Sequence, residues 1–437
     1  MGLSTPALEA LCGNKPPKSY NKTVHSSFLK GFFFGAATSA HQVEGGNRND
    51  WTEWEVGNAD RLAAEAKKRS WPEFLLKNDP SPLQKENYIS GKACDHYNRF
   101  EEDFDIAKKL GHNAHRFSIE WSRVEPLEGR FNEKELEHYR NVVHALRKRN
   151  LEPFVTLWHW TIPLWLKNKG GLESSEFQIY FSRYAEKVVG ALGTDITFWI
   201  TLNEPNALVR RAYIEGDWPP CKRSFLSAFR VLLYLARAHR AAYQIIHKHI
   251  PRAQVGWSSA VRYFKPARKN VLDYLSTMTA RFWSEKFFLL LTRNENDYLA
   301  IQYYRKGEVQ FPLRITDTGD LSDIGWAIHP EGLHFILKRL SRYKKPIYIT
   351  ENGLADARDA QRGEFIRNHL AWMKKAMDEG ADVRGYFHWS LLDNFEWSSG
   401  FWPRFGLVEV NYKTFKRKIR PSALVYKSII EKDLSSS

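Results

Sequence analysis

Three cysteines in 437 residues, Cys12, Cys94 and Cys221, are too few and too odd in number for a disulfide framework. None lies in a CxxC pair or at Cys/His ligand spacing, which removes a structural zinc site. No apolar stretch reaches the ~18–20 residues of a membrane span. The opening MGLSTPALEALCGNKPPK lacks the charged and apolar regions of a secretory signal, and Pro6 stands where a myristoylation signal wants Ser or Thr. The single Asn21-Lys22-Thr23 sequon therefore carries little weight, and the expected location is cytoplasmic with no membrane partner. A long basic run is also missing. The net charge of +15 is scattered over short clusters, Lys67-Lys68-Arg69, Arg147-Lys148-Arg149 and Lys416-Arg417-Lys418. Such a charge permits attraction to nucleic acid, anionic membranes or acidic polymers. Without a nucleic-acid fold signature, a solvated basic surface is the favoured reading, and no nucleic-acid partner is expected.

Aromatic residues, by contrast, are plentiful: 16 Trp, 19 Tyr and 27 Phe. The flat C–H faces of sugars stack on such rings, but large cores use them too, so composition does not decide between the two. The order of elements says more. Runs rich in β-branched and aromatic residues recur at 32–40, 114–121, 152–159, 196–205, 253–259, 298–304, 346–353 and 385–390. They are nearly continuous in apolar character, as for strands buried on both faces. Helical periodicity fills 93–111, 132–150, 175–193, 224–250 and 363–380. Eight strands alternating with helices predict α/β architecture, a single (β/α)8 TIM barrel with extended βα-loops. An open doubly wound sheet is the lesser alternative, since no GxGxxG or Walker-type loop follows the first strand. Residues 1–27 read as an N-terminal extension, 28–430 as the catalytic domain, and 51–92 as an insertion in the first βα-loop on the catalytic face.

Barrel enzymes build their sites at the C-terminal ends of the strands. In this chain those ends carry Gln42 and Glu44, Arg116 and Glu120, His159 and Trp160, Asn203-Glu204-Pro205, Gln302-Tyr303-Tyr304, Glu351-Asn352-Gly353, and Trp389 with Glu396 and Trp397. Glu204 and Glu351 end strands four and seven, across the mouth from each other. Glycoside hydrolysis requires such a pair, one carboxyl to protonate the leaving oxygen and one to trap the oxocarbenium-like centre. A single glutamate at a strand end is more often held by a neighbouring Arg or Lys for structural reasons, so the pair alone does not decide the matter.

The sequence words add to it. FFFGAATSAHQVEG (32–45), HRFSIEWSR (115–123), TLWHWTIPLWL (157–166), TLNEP (201–205), YITENG (348–353) and HWSLLDNFEWSSGFWPRFGLVEVNY (388–412) resemble the family-1 glycoside hydrolases, in family order, from about residue 28 to about 427. The resemblance implies a retaining β-glycosidase acting on β-linked glucosides or short oligosaccharides, with no metal or cofactor. Glu204 would be its acid/base. Glu351 would be its nucleophile, kept ionised by Arg116 and by a hydrogen bond from Tyr304. Asn203 would donate to the sugar 2-hydroxyl. Gln42, His159, Glu396 and Trp397 would hold the 3-, 4- and 6-hydroxyls, Trp389 would floor the ring, and Trp326 would line the aglycone side. Trp402 and Phe405 are expected to pack loops, and Glu44 and Glu120 to be structural.

Two departures stand out. Gln302 replaces the usual Asn, with a longer reach toward the substrate or Glu204. The stretch from Glu204 to Gln302 is short for the family, which suggests trimmed loops and a more open aglycone entrance. Glu396 implies unphosphorylated sugars, because a carboxylate repels a 6-phosphate. Glu204, in place of a Gln, implies ordinary O-glycosides. A non-catalytic sugar-binding barrel typically loses one catalytic carboxylate, whereas both are present. A transglycosidase would use the same residues.

Overall fold

The computed structural model describes residues 28–434. The N-terminal extension, Cys12 and the Asn21 sequon lie outside the described residues. Eight strands form the barrel: β1 (Phe33–Ala37), β2 (Ala114–Ser118), β3 (Glu152–Trp158), β4 (Phe198–Asn203), β5 (Gln254–Pro266), β6 (Leu299–Gln310), β7 (Ile347–Asn352) and β8 (Val383–Trp389). Each pairs in parallel with the next, and β8 pairs with β1, so the ring closes without an edge. The expected strands thus all form, and they close into a barrel instead of spreading into an open sheet.

The five expected helices are His96–Lys109, Glu133–Lys148, Phe177–Leu192, Phe225–His249 and Arg362–Asp378. Among the described residues four more long helices have no counterpart in the sequence reading: Asp50–Ala66, Val271–Arg281, Pro330–Leu340 and Pro421–Leu434. The first lies within the 51–92 insertion, where its inward residues are mainly alanines and Trp51, a weak apolar stripe. Asn49 starts it by accepting from the Thr52 amide at 3.0 Å.

Aromatic rings fill much of the barrel interior. Phe154 and Phe198 stack at 4.2 Å and 7°, and Phe33, Tyr298, Tyr348 and Phe387 close round them, with Ala37, Ala114 and Ala300 leaving room. This plug blocks the lower end and leaves only the C-terminal mouth for polar chemistry.

β5 and β6 run well past the spans expected for them. Tyr263 to Pro266 pair with Lys306 to Val309 above the rim, and Arg314–Thr316 returns antiparallel along β6. Helix Val271–Arg281 packs on this overhang. The Phe311 amide donates to Asp273 at 2.9 Å, and Arg281 donates to the Phe264 carbonyl. The short span between Glu204 and Gln302 therefore supplies the β5 half of a raised two-strand wall, whose β6 half follows Gln302. The shortness of that stretch thus does not leave the rim unwalled at β5 and β6, since a strand continuing past the rim needs fewer residues than a loop of equal height.

The basic clusters are partly neutralised. Arg147 meets Glu152, Arg149 meets Asp105 at 2.7 Å, and Arg417 meets Asp103 at 2.8 Å. Cys94 is buried and Cys221 exposed, both as free thiols. No described helix is long and apolar enough to cross a membrane.

The loop after β8 is locked by the buried Asp393. Arg420 reaches both of its oxygens at 2.7 and 2.8 Å, Arg404 reaches one at 3.4 Å, and the Gly406 amide donates at 2.9 Å. Burial opposes its charge, but Arg420 and Arg404 outweigh burial and hold the carboxyl below its usual range. Asp393→Ala is expected to cost ~3–5 kcal/mol by leaving Arg420 without its counter-ion. Denaturant unfolding at neutral pH checks this; a loss under about 1 kcal/mol would show the pair to be dispensable.

Candidate active site

Side chains from all eight strands and their following loops converge at the mouth. Four of the parallel pairings shift register near the rim: β4 with β5 between Ile200 and Asn203, β5 with β6 between Val261 and Tyr263, β6 with β7 at Ile301/Gln302, and β7 with β8 between Ile349 and Asn352. Such irregularities re-aim side chains where a ladder ends. After its shift Gln302 lies opposite Glu351, and Asn203 lies opposite Ser258.

Arg116 is the hub. It comes inward from β2, almost wholly buried, and donates to Glu351 Oε1, to Asn203 Oδ1 at 2.6 Å and to Thr156 Oγ1 at 3.1 Å. Glu351 also accepts from the Tyr304 hydroxyl and, at 2.7 Å, from Gln302 Nε2. Burial pushes its carboxyl up, while the Arg116 charge and the Tyr304 bond pull against that rise.

Glu204 is treated differently. Its carboxyl makes no hydrogen bond among the described residues. Burial pushes it well above the usual carboxylate range, and the charge of Glu351 pushes the same way. Its backbone is left-handed, φ 40° and ψ 56°, held by its amide bond to the Ser258 carbonyl at 2.8 Å and by Pro205, which opens the helix Pro205–Val209. A non-glycine residue in this region costs on the order of 1 kcal/mol, and such strain persists where surroundings enforce it. Two neighbouring carboxyls thus differ in kind: one braced as an anion, the other poised to keep its proton.

Asn203 orients the neighbouring groups. Its Oδ1 accepts from Arg116, from Gln302 at 2.8 Å and from Ser258 at 2.9 Å, so its amide nitrogen must face His159 Nε2, 3.0 Å away. His159 Nε2 is then an acceptor and its proton sits on Nδ1, which has no partner. Burial and Arg116 keep this ring neutral, well below its ordinary pKa. One N–H of Asn203 also remains free, and Gln302 Oε1 is buried without a partner. Gln302 therefore reaches Glu351 and also Asn203, the residue next to Glu204, within the neighbourhood that its length suggested: the register shift places it beside β7.

An aromatic crescent walls the other side. Trp397 stacks on His41 at 5.4 Å and on His159 at 5.9 Å, and meets Trp51 and Trp160 at 4.6 and 4.7 Å. Trp389 lies nearly parallel to His159 at 6.3 Å and hydrogen-bonds Glu396. Gln42 donates to the Phe395 carbonyl at 2.8 Å and to Glu396 at 3.4 Å. Burial, with the Glu351 charge, pushes Glu396 up to about 8. On the opposite edge Trp326 is half-buried, against Tyr304 at 5.4 Å and Phe405 at 5.9 Å, with the Arg305 guanidinium 4.7 Å over its ring.

All twelve expected site residues thus sit in or at the edge of one cleft. Trp402 packs on Trp71, Phe405 packs under Trp326, and Trp158 belongs to the core beside Phe177. Glu44 pairs with Arg123 at 2.8 Å, and Glu120 accepts from Asn49, Ser122 and Thr161. Three contributors went unread: Ser258, Trp218 and His41. Ser258 comes from β5, the one strand from which no site residue was drawn. Its only sequence signal is a serine closing an apolar run. Trp218 and His41 join the crescent only through loop packing.

Residues 24–318 and 289–434 match the model for glycosyl hydrolase family 1. The chain is similar to β-glucosidase A of Thermotoga maritima, 32% identical over 92% of this chain and 98% of that one. Among solved structures it resembles a β-glycosidase from Pyrococcus horikoshii at 36% identity and TM-score 0.82, covering 93% of this chain and 95% of that one. It also resembles the T. maritima β-glucosidase in complex with glucoimidazole, at 29% identity and TM-score 0.82, covering 93% and 99%.

Two substitutions separate the carboxyls. Tyr304→Phe removes a donor to ionised Glu351, so the titration of that carboxyl should move to higher pH. Glu351→Gln removes the charge that pushes Glu204 up, so the Glu204 titration should move to lower pH. Carbon-13 NMR titration of the labelled glutamates reads both, and an unmoved Glu204 midpoint would mean that burial alone sets it.

Proposed function

The chain belongs to glycosyl hydrolase family 1 and is a retaining β-glycosidase, and on that premise we propose Glu204 as its general acid/base, Glu351 as its nucleophile and β-glucosides as its preferred substrates. The observation that carries the assignment is the asymmetry of the pair: Glu351 is braced by Arg116, Tyr304 and Gln302, while Glu204 is unpaired and pushed up. Residues 28–430 would be the catalytic domain. The sparse, free cysteines suit a reducing, cytoplasmic setting.

A Glu351 oxygen attacks the anomeric carbon while Glu204 gives its proton to the departing oxygen. The resulting ester removes the Glu351 charge, and the Glu204 pKa falls. Glu204 then takes a proton from water, whose oxygen attacks the anomeric carbon and releases Glu351 as carboxylate. Throughout, Arg116 and Tyr304 stabilise the Glu351 charge as it leaves and returns. The free Asn203 N–H would meet the sugar 2-hydroxyl, a contact that strengthens as the ring flattens. Gln42, His159 Nδ1, Glu396 and Trp397 would take the 3-, 4- and 6-hydroxyls, over Trp389. Gln302 would fix the nucleophile and offer its Oε1 to the sugar, and Trp326 would face the aglycone.

Unphosphorylated sugars fit best. With Glu396 pushed up to about 8, its charge alone excludes a phosphate less strongly near neutrality than the sequence suggested. The cation that acts on it, Arg211, is already paired with Asp217 at 2.7 Å and Glu215 at 3.3 Å, so no free basic group is there to receive one. The retained pair argues against a non-catalytic barrel. A transglycosidase uses the same groups and differs only in whether water or a sugar hydroxyl attacks the intermediate.

Glu351→Gln is expected to lower kcat on nitrophenyl β-glucoside by about 10⁴-fold or more, with the melting transition retained. Near-normal turnover would overturn the assignment. The wild-type kcat/KM should be bell-shaped in pH. Its alkaline limb, where Glu204 loses its proton, should disappear in Glu204→Gln, tested on a substrate whose leaving group needs no acid. A panel of nitrophenyl β-glycosides ranks the sugars, and a preference for another glycone over glucose would reject the substrate reading.

A further inference from the structure

Helix Val271–Arg281 is built inside out. It buries Asp273 (0% exposed) and Thr277 (1%), and it turns Leu272 (54%), Leu275 (53%) and Met278 (51%) to solvent. The polar residues have partners within: Asp273 caps the overhang through the Phe311 amide and Arg268, and Thr277 donates to the Asp273 carbonyl at 2.7 Å. The apolar face continues past the helix. Phe282 and Trp283 are exposed and meet Phe287 at 6.0 and 4.5 Å; Phe287 meets Phe229 at 6.0 Å, one turn from Phe225, which is 81% exposed. One continuous apolar surface therefore runs from the start of helix Phe225–His249 to the β5–β6 overhang, far beyond scattered single residues.

Among the described residues its unpaired border charges are of one sign, the acids at its two ends, Glu173 and Glu308, being paired with Lys222 and Lys265. Arg230, Lys269, Lys286 and Arg293 surround it, all exposed and without an ion pair among the described residues. The acids in the segment 265–293, Asp273 and Glu285, are buried and bound to Arg268 and Arg339. Aromatic and aliphatic side chains ringed by Lys and Arg match a surface of apolar chains beneath anionic headgroups. A second copy of this chain would instead bring like charges together round the same patch.

We propose that this surface docks the protein peripherally on an anionic lipid bilayer. The patch is tied to the catalytic centre: Asn206, two residues after Glu204, donates to the Ser284 and Ala260 carbonyls at 2.9 and 2.7 Å, and Ser284 adjoins Trp283. Docked there, the chain turns the acid/base side of its cleft toward the bilayer. The absence of a membrane partner expected from the sequence rested on the absence of a span, and it does not extend to this face.

Flotation of the full chain with vesicles tests the proposal without reference to turnover, so its outcome is independent of the assigned chemistry. The protein should float with phosphatidylglycerol-containing vesicles and not with pure phosphatidylcholine, and added salt should weaken binding. Leu272→Ser/Leu275→Ser/Met278→Ser should abolish flotation while leaving nitrophenyl glucoside turnover and melting unchanged. Lys269→Glu/Lys286→Glu, which keeps the apolar face, should weaken partitioning by about tenfold or more. Absence of flotation, flotation that survives the triple serine variant, or a dimer that this variant converts to monomer would each overturn the proposal.

Discussion

A buried guanidinium organises this molecule. Arg116 sits at the barrel mouth cut off from water, where an uncompensated charge would cost several kcal/mol. Four strands contribute to offsetting it: Glu351 from β7, Asn203 from β4, Thr156 from β3 and Ser258 from β5. Because Arg116 bonds directly to only one of the two carboxyls, the pair cannot behave alike. The one that Arg116 holds is braced as the anion, and the other, left with burial and a negative neighbour, favours its proton. The proposed division into nucleophile and acid rests on this unequal bracing by Arg116.

Around that centre the structure mostly supplies rigidity. The aromatic plug below prevents water from reaching Arg116 through the barrel, and the stacked set of Trp397, His41 and His159 fixes the far wall. The long loop after β8, which carries Glu396 and Trp397, is pinned at its base by Asp393 between two arginines. Polar satisfaction is nearly complete in this region, so the few free capacities, at His159, Gln302 and Asn203, mark where a hydroxylated ligand can bond.

Much of this was legible in the chain. Apolar runs of strand length at regular intervals located all eight strands, because a parallel barrel buries both faces and leaves no alternation to confuse the pattern. Helices Phe177–Leu192 and Phe225–His249 announced themselves by broad apolar faces that pack on the sheet. Val271–Arg281 carries a comparable periodicity over a shorter span and went unread; that its apolar face points outward while Asp273 and Thr277 are buried is not legible in the chain. The overhang of β5 and β6 was missed for a related reason: its pairing is maintained by a covering helix and a return strand, not by a run of core residues.

The sequence by itself determined the barrel and pointed to the two glutamates and the proposed sugar-contacting residues, since these depend on residue type at strand ends and on the order of strands. Tertiary structure decided what depends on distance. Gln302 proved to serve Glu351 because a register shift turns it toward β7, and Ser258 entered the site because β5 lies against Asn203. The height of the β5–β6 wall and the basic-rimmed apolar face also emerged only from packing, because solvent exposure belongs to the folded surface and is not a property of any one residue.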